Sequence, residues 1–156
     1  MIPGWNWYRV SGADPRAVAL YSRHYSATKN GKGPQDWLRS GIMGSGEGFT
    51  LLTQQGDALF GWRHDLVPRL DKETGVNCTV FRNEGPLLSS DLIREADDLA
   101  DAHWEGLRHF TYVDGTMVNS GLPGACFLAA GWRYVREHGH RKRSQRGLLI
   151  LERLPS

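Results

Sequence analysis

Several common functional signatures are missing from this sequence. Cysteine is scarce, and Cys78 and Cys126 stand far apart with no CxxC-type spacing. Buried free thiols in a reducing cytosol fit them better than a disulfide. No apolar run approaches the roughly 18 residues that a membrane span needs. Met1-Ile2-Pro3-Gly4-Trp5 offers neither the basic start nor the apolar core of an export signal. A cytoplasmic protein with no membrane partner is expected. His24, His64, His103 and His109 show no ligand spacing such as HExxH, and His138-Gly139-His140 sits in a basic stretch where histidines are usually solvated. No metal site is therefore assigned from the residues. The formal net charge of +2 is also too small to imply a nucleic-acid partner by itself.

What remains is a chain of 156 residues, a length suited to one domain with a real core. Alternation over Trp5–Val10 predicts a first strand, and Asp14-Pro15 reads as an N-cap followed by proline at the first helical position. Val18, Leu20 and Tyr21 then fit a helix to about Tyr25. Residues 27–48 are rich in Gly, Lys and Ser and anchored only by Trp37, Leu38, Ile42 and Met43. A flexible substrate-side loop is expected there. Phe49–Thr53 and Ala58–Arg63 predict a hairpin, and Val76–Arg82 a more central strand. The clearest helix follows. Ser89-Ser90-Asp91 supply capping candidates; Leu92, Ile93, Ala96, Leu99, Ala100 and Trp104 share one face, leaving Glu95, Asp97 and Asp98 toward water. His109–Val113 reads as a strand and Pro123–Ala130 as a short helix ended by Gly131. Trp132–Val135 and Leu148–Glu152 would close the sheet as an antiparallel pair. With no repeat and no second domain, residues 1–156 form a mixed α/β unit.

Charge is unevenly placed. Arg136, Arg141, Lys142, Arg143 and Arg146 fall within eleven residues, with Glu137 the only acid among them. The run is either a phosphate-binding footprint or a solvated hairpin loop.

The junction after Val76–Arg82 carries the strongest chemical signal. A strand that enters a helix through a glycine loop points backbone N–H groups outward, and the positive helix end favours a diphosphate there. Gly85 to Ser90 would form such a cradle, with Arg82 adding charge and Glu84 repelling phosphate if it turned inward. An ordinary helix start after a strand is the alternative.

The order of elements resembles that of the GNAT acetyltransferases. The likeness is carried by Phe81-Arg82-Asn83-Glu84-Gly85-Pro86-Leu87-Leu88-Ser89-Ser90, then Asn119, then Phe127-Leu128-Ala129-Ala130-Gly131-Trp132. Val76 to Ala100, Phe110-Thr111-Tyr112-Val113-Asp114 and the pair His24-Tyr25 look more specifically like the phage Mom-like DNA-modification group. The resemblance covers about residues 15–154. It implies a GNAT-like fold with a central mixed sheet flanked by helices. It also implies an acetyl-CoA or related acyl-CoA donor held by Arg82, Asn83, Gly85, Leu88, Ser89 and Ser90. Iron, which has been associated with Mom-like proteins, enters by resemblance only.

In GNAT enzymes a substrate nitrogen attacks the thioester directly, and many place a tyrosine four residues before the glycine of the last helix. Here Phe127 stands at that place and Ala125 two residues earlier, so the proton donor must lie elsewhere. His24 and Tyr25 are the first candidates, since imidazole and phenol both move protons, with a packed Tyr25 and exposed His24 as the alternative. Asp114 would orient the amine or act as base, or else simply make the turn with Gly115. Ser89 and Ser90 lack a Gly-x-Ser-x-Gly elbow and read as helix caps, not nucleophiles.

The Mom-like resemblance implies transfer of an acetamido-type group to the exocyclic amine of adenine in DNA, shielding it from restriction. Trp37 would then capture the base, and Arg136, Arg141, Lys142, Arg143 and Arg146 would hold the backbone. The alternatives are an acetyl-CoA-dependent N-acetyltransferase of a small amine or hypermodified base, and a non-catalytic DNA-binding or anti-defence module.

Overall fold

The computed structural model describes residues 5–24, 31–44, 46–65, 69–117 and 122–155. Strand β1 (Trp7–Val10) is followed by α1 (Pro15–Ser22) and α2 (Pro34–Ser40), then by β2 (Glu47–Thr53), β3 (Ala58–His64) and β4 (Val76–Asn83). Helix α3 (Ser89–His103) leads to β5 (His109–Val113), and α4 (Ala125–Ala129) precedes β6 (Arg133–Tyr134), β7 (Arg136–Glu137), β8 (His140–Arg141) and β9 (Leu149–Arg153). Seven strands form one sheet in the order β1-β2-β3-β4-β5-β9-β6, while β7 and β8 make a separate ribbon. Among the described residues only β4 and β5 run parallel, because α3 carries the chain across between them.

Each face of the sheet supports its own core. Ala17, Val18 and Leu20 of α1 and Trp37 of α2 pack with Leu52, Leu59 and Val80 on one face. Leu92, Ile93, Ala96 and Ala100 of α3 and Phe127 of α4 pack with Phe60, Trp62, Val76 and Cys78 on the other. Two indoles bind α3 to the sheet, Trp7 Nε1 donating to the Leu92 carbonyl at 2.8 Å and Trp62 Nε1 to that of Ala96 at 2.9 Å.

The capping signal at Asp14 is realised, its carboxylate accepting from the Arg16 amide at 2.9 Å. Three local expectations are corrected. The stretch 27–48 contains α2, started by Pro34, by Asp36 accepting from the Gly33 amide at 2.9 Å, and ended by Gly41 at φ 86°. The N-cap of α3 is Leu88, with Ser89 and Ser90 already inside the helix. Asp97 does not face water: it lies on the same stripe as Ile93 and Ala100 and is 2% exposed. Its burial is tolerated because His109 Nδ1 meets one oxygen at 2.8 Å and Trp132 Nε1 donates to the other at 2.9 Å.

Candidate active site

The site begins with an interruption of strand pairing. β4 and β5 pair from Val76 with His109 to Cys78 with Thr111, and no further. β4 continues for five more residues and β5 for two, so the strands part like a V. The same point carries a bulge. Across β3, Gly61 pairs with Val80 and Trp62 with Cys78, which leaves Thr79 as an extra residue in β4. A bulge bends its strand and breaks the ladder, so backbone groups of β4 beyond Cys78 are released on the side where β5 has turned away.

A cavity of about 330 Å³ occupies the opening, lined by Val80, Phe81, Val113 and Phe127 together with His24, Thr79, Thr111, Tyr112 and Cys126. A larger one, about 630 Å³, lies on the α1–α2 side and shares His24, Thr79 and Tyr112 with the first. Trp37, Met43, Arg63, Asn77, Asp114 and Arg146 are on its walls. His24 thus stands at the junction of the two spaces, just after α1.

The protic groups around the opening are mostly committed. Thr111 Oγ1 donates to the Cys78 carbonyl at 2.9 Å. The Tyr112 hydroxyl donates to Asp71 and accepts from Arg69, which also pairs with Asp65. Burial and the Asp71 carboxylate both push the Tyr112 phenol up. Burial would also raise Asp71, but the bonds from Arg69 and Tyr112 outweigh it and hold that carboxyl at about 2. Phe127 is buried against Phe81 and Trp132 and has no proton to offer. Cys126 is different. Its sulfur meets the backbone of Phe127, but its proton has no acceptor among the described residues; the thiol is half-buried on the wall of the smaller cavity and pushed up by that burial. In the sequence Cys126 reads only as a buried free thiol, with no sign that it faces the slot.

His24 and Asp114 do meet on one cavity, although Asp114 also accepts from the Thr116 amide and hydroxyl at 3.0 and 2.7 Å, as a turn residue does. Tyr25 and Asn119 lie outside the described residues. At the loop before α3, the amides of Glu84 and Gly85 are taken by the Asp57 carbonyl and Asn83 Oδ1. Asn83 Nδ2 braces the loop by donating to the Leu87 carbonyl and Ser89 Oγ. Arg82 and Arg23 both hold Glu84, the Arg23 bond being the larger influence, and bring its carboxyl down to about 2. The Glu84 charge is therefore matched locally. The α3 end has no side-chain cap, Leu88 is exposed, and Ser90 is buried.

Trp37, expected to help capture a base, lines the larger cavity but belongs mainly to the core. It is 6% exposed and stacked edge-to-face on Tyr21 at 4.8 Å, part of the core under α1. The basic run is divided. Arg141 lies over the Tyr134 ring, Lys142 is held by Glu73 at 2.6 Å, and Arg143 donates to the Gly147 carbonyl. Arg136 sits exposed on β7, and Arg146 reaches the larger cavity.

A mixed sheet that parts between its parallel pair and is flanked by helices on both faces defines the fold of the GNAT acetyltransferases, which this chain adopts. Among solved structures it is similar to the crystal structure of aminoglycoside acetyltransferase AAC(6')-Ib in complex with coenzyme A. That likeness has a TM-score of 0.64 at 10% identity and covers 96% of this chain and 94% of the other. No protein-family profile matches the chain. No curated protein matches it either.

Proposed function

We propose that the protein is an acyl-CoA-dependent N-acyltransferase acting on an amine acceptor. The observation that carries this reading is the parting of β4 and β5 at the Thr79 bulge, which opens an apolar slot beside released backbone groups. The slot suits a narrow thiol-bearing arm. The uncapped first turn of α3, with Ser89 and Ser90, faces its diphosphate, and Asn83 and Gly85 set the loop that leads there, with Arg82 and Leu88 beside it. The AAC(6')-Ib structure, solved with coenzyme A, supports the same assignment. An acyl-CoA supplies an activated acyl thioester. Backbone N–H groups of β4 past Cys78 polarise the carbonyl under attack. His24 takes the proton released by the nucleophilic nitrogen, Asp114 orients the amine, and Cys126 returns a proton to the departing sulfur.

Calorimetric titration with acetyl-CoA tests the donor assignment. Absence of binding at millimolar ligand sinks it.

DNA adenine as the acceptor, in the manner of the Mom-like group, draws support from one observation, Arg146 on the wall of the larger cavity. The likeness to AAC(6')-Ib adds nothing to it, and with Trp37 buried and Lys142 matched by Glu73, a small acceptor is favoured. Mass analysis of nucleosides from co-expressed DNA separates the two, an acetamido adduct on adenine overturning the small-acceptor reading.

A further inference from the structure

The acceptor cavity has unspent polar groups of two kinds. Asn77, on β4 directly across from Arg63, is 5% exposed, and its Oδ1 has no hydrogen-bond partner. Its Nδ2 makes no hydrogen bond among the described residues either. A buried carbonyl oxygen left without a donor is unfavourable and calls for a partner from outside the chain.

The second kind is charge. Lys32, Arg63 and Arg146 line this cavity against one carboxylate among the described residues, Asp114. Arg63 is engaged, donating to the Met43 carbonyl at 3.0 Å and lying 3.0 Å from Asp65, close enough for an ion pair but not aligned as a hydrogen bond. Lys32 and Arg146 carry no ion pair among the described residues. A cavity of about 630 Å³ is the size of a small-molecule site.

We infer that the acceptor is a small amine that also bears an anionic group, phosphate or carboxylate. Asn77 Oδ1 accepts from its amine, and Arg146 with Lys32 binds the anion. Such a site disfavours a polycation, which would meet three positive side chains and one negative. This rests on the transferase reading. In the step it serves, the nitrogen forms its bond to the acyl carbon as the carbon–sulfur bond breaks. The electron pair leaves with sulfur, His24 takes the proton from nitrogen, and Cys126 supplies one to the sulfur.

Matched probes test the inference: O-phosphoethanolamine against ethanolamine, and β-alanine against propylamine, with spermidine as the polycation. Thiol release from acetyl-CoA is expected to show kcat/KM at least about tenfold higher for one anionic probe than for its neutral partner, with spermidine lowest. Which pair shows the ratio tells phosphate from carboxylate. Arg146→Ala should cut that ratio below about threefold, and Asn77→Leu should raise KM more than it lowers kcat. Preference for a neutral amine or spermidine, or an undiminished ratio in Arg146→Ala, overturns the inference. Calorimetric binding of the same pairs without any acyl donor reads the anion subsite on its own. If acetyl-CoA fails to bind but the anionic probe still binds more tightly, the transferase reading falls and the subsite stands. If neither member of either pair is distinguished, the subsite falls.

Discussion

Cys126 shows how a residue's chemistry depends on what its neighbours leave over. Thr111 and Tyr112 both reach the slot, yet their protons already belong to the Cys78 carbonyl and to Asp71. Cys126 has no such commitment, and burial keeps its thiol protonated above the range of an exposed cysteine, about 8.5. Cys126→Ala is expected to lower kcat by about tenfold to a hundredfold with little change in thermal stability. The alkaline limb of the kcat profile should lie above the ordinary thiol range in the native enzyme and disappear in the variant. An identical pH profile in both proteins would remove Cys126 from proton transfer. His24→Ala should lower turnover without lowering Tm; loss of stability with full residual activity would make it a structural residue instead. The sequence singled out His24 through its resemblance to the Mom-like pair and Asp114 as the acid that ends a strand, and both line the larger cavity. Cys126 and Asn77 were not legible, because their roles depend on hydrogen bonds that their neighbours make or fail to make.

At the scale of elements, the strands and long helix were readable from periodicity, since β-formers alternate and the apolar stripe of α3 repeats as a helix requires. Helix α2 escaped because seven residues with one buried side chain, Trp37, carry almost no periodic signal; its boundaries are written in Pro34, Asp36 and Gly41 instead. The loop before α3 was identified for its glycine, but the reason for that glycine differs from close approach to a phosphate. A Cβ on Gly85 would lie 2.3 Å from Asp57 Oδ2, and Asp57 is fixed by Thr53 in the β2–β3 turn. Gly85→Val should therefore destabilise the fold, by roughly 1–3 kcal/mol, and weaken acetyl-CoA binding together. Denaturant unfolding beside calorimetry checks the pair of effects. Weakened binding with unchanged stability would show that the glycine instead makes room for ligand.

The molecule as a whole is held beside its site by a charge network joining Asp65, Arg69, Asp71 and Tyr112. Asp71 titrates at about 2 when folded, below the unfolded carboxylate value of about 3.9. A depressed folded value means stabilisation present above the unfolded value and lost as pH falls from about 4 to 2, on the order of 1–2 kcal/mol after screening. Asp71→Asn should flatten that acid limb; equal slopes in both proteins would show that the pair contributes nothing. Sequence could not foresee this network, which joins residues more than forty positions apart.

The bulge at Thr79 also bears on what kinds of genetic lesion the chain can absorb. Below it, Val76 and Cys78 enter the core under α3; above it, Val80 enters the opposite core under α1. The extra residue is set outside the ladder, so Cys78 and Val80 keep the opposite faces that adjacent residues of a regular strand would take. Substitutions at Thr79 leave the bulge intact and should be mild. Loss of its codon would remove the bulge and leave Val80 under α1 and Phe81 under α3, as strict alternation from Cys78 requires. That single deletion is expected to leave soluble folded protein but to weaken acetyl-CoA binding, because the slot depends on the bulge, whereas Thr79→Ala keeps both.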